Sequence, residues 1–395
     1  MLREVTLFKI MAPGVLRTLL IGDLHYHLRN LKDHELLATE IHNAIDAYAK
    51  LCPRSDEPPL DLIVCLGDEF DVHNPSADVR GAGIAFLRTL AAKTRHMIIL
   101  VGNHTRKNNR VSTGPDHTLA EIHSDGGVTM VEDPQIMEIN GVRFAALPYI
   151  HPDDFDAIIV DTCPELAAGG DRLSFVLGHQ EINGAAVQPG RESTCHAHWP
   201  NNWPPLISGH IHERHHIRNV LYVGTPMQHS LNESTNKYIH FGELRARSGE
   251  SSPWAYRNPE DGDILKQPCY VSSAGILHEF RMRGIPIRYS WDVDIRDTAA
   301  LNGMLEYINE NPINYYRIRV KYGDSQELLG NRAYSILLQH ERVRVETCRV
   351  GPATENVRDD THVPITSSYS DRLRIACKDK PELAAYLASI GGWMM

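Results

Sequence analysis

The sequence predicts a layered α/β domain followed by a smaller α+β unit. Three observations carry this. Apolar runs alternate with helix-compatible stretches through about residue 245. The texture shifts to short strands from Val128 onward. A polar, Gly/Ser/Pro-rich stretch at 246–262 then separates this region from a β-α-β-α-β order. Alternating strands and helices argue for layers around a sheet, and the polar stretch reads as a boundary.

Taken in order, Leu19–Ile21, Leu62–Leu66, Met97–Val101, Phe175–Leu177 and Leu206–Ile207 are continuous apolar runs, the first four ended directly by Gly and the last by Ser208-Gly209. They read as short buried strands. Leu31 to Lys50 carries Leu36, Leu37, Ile41, Ile45 and Tyr48 at helical spacing and stops before Pro53. Arg80 to Thr94 is a second helix, with Ile84, Leu87 and Leu90 on one face. Val128–Val131, Gln135–Ile139 and Val142–Leu147 are short strands, the last two joined by an Asn140-Gly141 hairpin turn. Further strands at Leu221–Val223 and Tyr238–Leu244 suggest a second sheet packed on the first. Beyond the boundary come a strand at Ile285–Val293, a helix at Thr298–Asn309, a strand at Tyr315–Tyr322, a helix at Ser325–His340 and a strand at Arg342–Val350. Asp371–Ile390 reads as a C-terminal helix. The division is therefore 15–250, 275–350 and 365–395.

Hydrophobic content of 42% with 23% charged residues fits a soluble globular chain. No apolar run approaches the ~18 residues that span a bilayer. The N-terminus shows no apolar core with a small-residue cleavage site, so a cytoplasmic location is expected. The seven cysteines are scattered and lack C-x-x-C spacing, so they read as free thiols. A net charge of −10 argues against a surface that attracts nucleic acid everywhere, though not against a local patch beside bound dications. Histidine, at 22 residues, is the compositional outlier.

Five motifs follow the five apolar runs: Gly22-Asp23-Leu24-His25, Gly67-Asp68-Glu69-Phe70-Asp71, Gly102-Asn103-His104, Gly178-His179 and Gly209-His210-Ile211-His212. Two metal ions about 3.5–4 Å apart need one bridging carboxylate, a few further ligands each, and room for water and a phosphate oxygen. Asp23, His25, Asp68, Asn103, His179, His210 and His212 supply such groups. Oxygen with imidazole suits Mn, Fe or Zn better than Mg alone. Alternate residues leaving a strand point the same way, so both members of Asp-x-His and His-x-His can reach one site. Ligands of α/β sheets gather beyond the carboxyl ends of strands, where these motifs fall.

These motifs, in this order, resemble the calcineurin-like metallophosphoesterases, whose pattern is D-x-H, G-D-x-x-D, G-N-H-D/E, H and G-H-x-H. The resemblance implies a four-layer αββα sandwich and two divalent metals, Mn first among the candidates. It implies that Asp23, His25, Asp68 and His212 hold the first metal. Asp68 would bridge to a second, completed by Asn103, His179 and His210. His104 would face the substrate phosphate as general acid or transition-state stabiliser.

A finer resemblance is to the nuclease subunit of SbcCD-type double-strand-break repair complexes and their phage recombination-endonuclease counterparts. It rests on Gly67–Ser76, Leu147-Pro148-Tyr149 and Tyr222–Gln228, and it makes the second unit a capping domain. It implies DNA as substrate and a separate ABC-type coiled-coil ATPase as partner, docked through the C-terminal helix. No P-loop motif is present in this chain. A second copy of the chain is a further candidate partner, and no membrane is implied.

Thr105 departs from the pattern, standing where an acid usually orients the catalytic histidine. Arg106, Lys107 and Arg110 form a basic stretch that is either a solvated turn or a phosphate contact. Asp71 is expected to hydrogen-bond locally. His27, His73 and His151 are expected at the surface or behind the ligands, Cys195–His198 in a plain loop, and His215 and His216 exposed. Two other functions compete with a nuclease: a metallophosphatase or small-molecule phosphodiesterase of the same superfamily, and a non-catalytic scaffold that keeps the fold.

Overall fold

A computed structural model describes residues 14–350, apart from 54–57, 107–117, 124–125, 189, 250 and 259–266. The predicted C-terminal segment 365–395 lies outside the described residues. Strands β1 (Val15–Ile21), β2 (Leu60–Cys65), β3 (Thr94–Leu100) and β4 (Val128–Val131) run parallel. After them come β5 (Gln135–Ile139), β6 (Val142–Leu147), β7 (Val176–Gly178), the small hairpin β8 (Ala186–Gln188) and β9 (Arg191–Glu192), then β10 (Leu206–Ser208), β11 (His215–Ile217) and β12 (Val220–Tyr222). The core closes with β13 (Tyr238–Arg245), β14 (Ala255–Arg257), β15 (Cys269–Ser272) and β16 (Gly275–Arg281).

Two sheets result. One has the order β14-β15-β16-β13-β1-β2-β3-β4, the other β11-β12-β10-β7-β6-β5. The central strands of each are buried on both faces, which is why they read as unbroken apolar runs. Alternation divides them between cores. In β1, Leu16 and Leu20 face the second sheet, while Leu19 and Ile21 face the helices Leu31–Leu51 and Ala77–Ala91. In β6 and β7, Phe144, Ala146 and Leu177 meet the first sheet, while Ala145, Leu147 and Val176 pack under the helix Phe155–Thr162. Three apolar layers between four structural layers are the αββα sandwich that the motifs implied.

The first unit is longer than the sequence suggests. Strand β16 pairs antiparallel with β13 from Tyr238↔Arg281 to Leu244↔Gly275, and β15 and β14 follow outside it. The core therefore runs to Arg281, not 250, and part of the stretch read as loop is the exposed edge strand β14. The second unit starts at β17 (Arg288–Asp294), followed by a helix at Thr298–Glu310, β18 (Tyr315–Tyr322) and β19 (Val343–Arg349), in one parallel sheet β17-β18-β19. Its own core holds Val293, Leu301, Ile308, Ile318, Val320 and Leu337. The predicted helix Ser325–His340 is two pieces, Ser325–Leu329 and Arg332–Gln339. Gly330 ends the first, and the Asn331 side chain caps the second by accepting from the Tyr334 N–H.

The second unit is fastened beside the sheet ends. Arg288 donates to Asp33 Oδ2 at 2.9 Å and its N–H to Gln228 Oε1 at 2.7 Å, and Tyr315 Oη donates to Asp33 Oδ1 at 2.9 Å. No helix among the described residues is long and apolar enough to cross a membrane.

Candidate metal centre

All five motifs leave the carboxyl ends of parallel strands: β1, β2 and β3 of one sheet, β7 and β10 of the other. The two sheets thus face one site from opposite sides. The backbone there is unusual. His25, Asp68 and His210 adopt left-handed conformations, with φ of 46°, 53° and 74°. Non-glycine residues rarely do so, and such strain persists where the surroundings fix it. Gly102 is required by proximity: a Cβ there would collide with the Asp68 carboxylate.

The seven predicted ligands converge in two groups. In the first, His25 Nε2 lies 3.0 Å from His212 Nε2, and Asp23 Oδ2 lies 3.9 Å from each. In the second, Asn103 Oδ1 lies 3.2 Å from His179 Nε2 and 3.0 Å from His210 Nδ1, while Asp68 Oδ2 lies 3.2 Å from His179 Nε2. Asp68 groups both with His25 and His104 and with His179 and His210. A carboxylate shared between two ions needs that position.

The donor set fits cations. Asp23 Oδ2 is buried with no hydrogen-bond partner among the described residues, and it faces the Nε2 atoms of His25 and His212. Buried polar groups are normally satisfied, so an orphan at that point asks for a ligand. Electrostatics agrees. Burial pushes the Asp68 carboxyl up, but His179, His25 and His104 outweigh it and hold the group below its ordinary range. Burial pushes the His179 imidazole down, but Asp68 and Asp23 outweigh it and raise it to about 9. The protein alone thus already favours positive charge beside Asp68.

The second nitrogen of each ring decides which atom is left for a metal or substrate. His179 Nδ1 donates to the Leu66 carbonyl at 2.6 Å, so once a cation displaces the second proton its Nε2 faces the centre as a lone pair. His210 reverses this, with Nδ1 inward and Nε2 3.7 Å from Glu181 Oε2. His212 Nδ1 donates to Glu233 Oε1 at 2.9 Å. His25 Nδ1 lies 3.5 Å from Asp71 Oδ1.

His104 is set apart. It is 38% exposed, and its Nε2 lies 3.9 Å from Asp68 Oδ2 at the mouth of the site. Its Nδ1 donates to the Asp71 carbonyl at 2.6 Å, and its N–H donates to Asp68 Oδ1 at 2.9 Å. This bears on the departure at Thr105. That side chain is buried and its Oγ1 has no hydrogen-bond partner among the described residues, so it does not orient His104. The Asp71 backbone does.

Other expectations fare unevenly. Arg106 turns inward, its Nη2 donating to the Glu132 carbonyl at 3.2 Å, while Lys107 and Arg110 lie outside the described residues. His27, His73, His151 and Cys195–His198 join none of the metal-type groups among the described residues. His215 is half-buried rather than exposed, stacked on Tyr222 at 4.8 Å and accepting the Ala186 N–H at 3.1 Å, because it lies on β11 and not in a loop.

Four residues near the ligands carried no sequence signal: Glu181, His229, Glu233 and Glu69. His229 lies with its ring 5.0 Å from that of His25 and donates to the Asp23 carbonyl at 3.4 Å. Glu69 is buried behind Asp68 with both oxygens unpartnered among the described residues, and burial pushes its carboxyl up to about 8. Beside His210 and His212 a cleft of about 380 Å³ opens, lined also by Arg191, Ser230 and Asn232.

Comparison with known proteins agrees with this geometry. The chain is 30% identical over 224 residues to a protein of Invertebrate iridescent virus 3 described as "Putative phosphoesterase 078R", covering 56% of this chain and 60% of the viral one. It is 27% identical over 222 residues to "Putative phosphoesterase 244L" of Invertebrate iridescent virus 6, covering 55% and 72%. The chain thus matches about three fifths of the length of the first relative. A solved structure of a protein of unknown function from Aquifex aeolicus, AQ665, aligns with 47% of this chain and 80% of its own at 16% identity, with a TM-score of 0.24. Residues 16–214, about half of the chain and all five motifs, match the calcineurin-like phosphoesterases, and the chain belongs to that family.

Proposed function

We propose that the chain is a metal-dependent phosphodiesterase that cleaves DNA, the nuclease subunit of a repair or recombination complex with a separate ABC-type coiled-coil ATPase. The observation that carries the phosphoester chemistry is the pair of metal-type groups meeting at Asp68, with His104 at their open side. Asp23, His25, Asp68 and His212 would hold one ion, and Asp68, Asn103, His179 and His210 the other. Two divalent ions in such a site, Mn the first candidate, polarise the phosphoryl group and supply a nucleophile at neutral pH.

The chain's own groups do the remainder. Asp68 and Asp23 are fixed by the N–H groups of His104 and His210, at 2.9 and 3.0 Å, so the carboxylates do not reorganise during reaction. His104, with Nδ1–H committed to the Asp71 carbonyl, presents Nε2 to a phosphate oxygen or leaving group. In its protonated form it donates there as a general acid.

The extension to nucleic acid draws support from a second groove, of about 480 Å³, between the core and the second unit. Arg29, Arg288, Arg317, Arg342 and Arg344 line it with Tyr315. Glu346 serves both Arg317 and Arg344, at 2.7 and 3.3 Å, and Glu341 is the other lining carboxylate, so five arginines face two glutamates in a chain of net charge −10. The segment Ser230–Glu233 borders both this groove and the cleft at His212. A phosphate backbone needs such a track, and a small ester does not.

The test is to incubate metal-loaded protein with an aryl phosphodiester, a nucleoside monophosphate, a cyclic nucleotide, and linear single- and double-stranded DNA. The proposal expects DNA cleavage dependent on Mn, with slow turnover of the aryl diester. Fast hydrolysis of the small esters with inert DNA would replace the nuclease by a small-molecule phosphoesterase. No turnover of any of them, with both ions bound, would favour a scaffold.

A further inference from the structure

We infer that Glu233, charge-balanced by Lys237, is a positioning residue that fixes His212 with its Nε2 lone pair aimed at the first metal position. The inference rests on the two-metal reading above and goes beyond the seven ligands. Glu233 lies outside all five motifs, 21 residues after His212.

Glu233 Oε1 lies 2.9 Å from His212 Nδ1, and a carboxylate oxygen accepts, so Nδ1 carries the hydrogen. Nε2 is then the free lone pair. It points to where His25 Nε2, at 3.0 Å, and Asp23 Oδ2, at 3.9 Å, also point. Without that acceptor the ring could take the other tautomer or turn, and one of three converging donors would be lost. Metal-binding histidines commonly have such a partner on the second nitrogen, and its loss costs about 10–100-fold in affinity.

Glu233 is itself firmly held. Its Oε2 accepts from Lys237 Nζ at 2.8 Å and from the His229 N–H at 3.1 Å. Gln228 Nε2 donates to its carbonyl at 3.1 Å. Lys237 is buried and also donates to Thr225 Oγ1 at 2.8 Å and to the His212 carbonyl at 3.4 Å. Burying a carboxylate or an ammonium alone is expensive; burying them as a hydrogen-bonded pair keeps both charged and in place. The contrast with His210 is informative. Its corresponding partner, Glu181, stands 3.7 Å away and is shared with Ser193 Oγ, so that ring is less tightly set.

The experiment is calorimetric titration of the metal-free protein with Mn, backed by the visible spectrum of the Co-substituted form. Wild type is expected to take two equivalents. Glu233→Ala should weaken one equivalent by about 10–100-fold and leave the other unchanged. Glu233→Gln combined with Lys237→Met, where the amide oxygen still accepts from Nδ1–H and the amide nitrogen no longer faces an ammonium, should recover most of the loss. Because Glu233→Ala strands a buried ammonium, the double variant Glu233→Ala/Lys237→Met separates folding from positioning: it should remain weak at the same single equivalent. Wild-type uptake of both equivalents by Glu233→Ala, equal weakening of both, or restoration of Glu233→Ala by Lys237→Met would each overturn the inference. Absence of metal uptake by wild type would instead sink the metal reading beneath it.

Discussion

The carboxyl ends of the core strands and the parallel sheet of the second unit treat polar groups in opposite ways. At the strand ends, carboxylates and imidazoles are buried, three residues hold left-handed backbone, and Asp23 and Glu69 keep oxygens without partners among the described residues. In the second unit the charged groups sit at the surface and pair with one another: Arg296 with Asp294 at 2.6 Å, Arg317 with Glu346 at 2.7 Å, Lys321 with Asp292 at 3.3 Å. The first arrangement is costly unless cations complete it; the second costs little, because solvent screens it. Substitutions at the strand ends should therefore act through metal and chemistry. Those on the second unit's ion pairs should do little to the fold.

The largest effect is expected at Asp68. Asp68→Ala removes the oxygen common to both groups, so phosphodiester hydrolysis should fall by about 10³-fold or more, with both metals lost in elemental analysis. If metal content stays at the wild-type level, the strand ends are not the cation site.

His104→Ala comes next. The backbone N–H that anchors Asp68 is retained, so metal uptake should be unchanged while turnover falls by about 10²–10³-fold. A fall in metal content of the same size would make His104 a ligand and blur the division of roles.

A smaller effect concerns stability. Burial raises Glu69 to about 8 in the folded protein, from 4.5 in the unfolded chain. Between those values the folded state holds the extra proton, so stability falls as pH rises across this window. Glu69→Gln removes the slope. In metal-free protein the variant should gain on wild type as pH rises from 5 to 8, by on the order of 1 kcal/mol per pH unit at most. Parallel Tm–pH curves for the two proteins would show that Glu69 is not buried neutral.

The smallest effect is expected at Arg296→Ala, an exposed pair partner, which should leave Tm within error of wild type. A clear drop would mean that the second unit depends on its ion pairs.

Much of the core was legible because strands buried on both faces read as unbroken apolar runs, and each ends at its motif. The Asn140-Gly141 hairpin and the second unit's order follow from local pattern, whereas the four layers were implied by the family resemblance of the motifs. What escaped depends on long-range pairing. Gly275–Arg281 joins the first sheet by pairing with a strand some 35 residues earlier, and nothing in its own sequence names that partner. Glu233 reaches His212 only because the chain doubles back after β12. Arg106 reads as a basic surface residue, but its local turn sends the guanidinium to the Glu132 carbonyl. The break at Gly330-Asn331 did have a local signal, a glycine followed by a capping residue, which helical periodicity on either side obscured.

Electron paramagnetic resonance of the Mn-loaded protein tests the account most directly. Two ions bridged by Asp68 should give an exchange-coupled dinuclear signal at two equivalents, and Asp68→Ala should abolish it. A mononuclear signal saturating at one equivalent, or a coupled signal that survives Asp68→Ala, would contradict the shared centre.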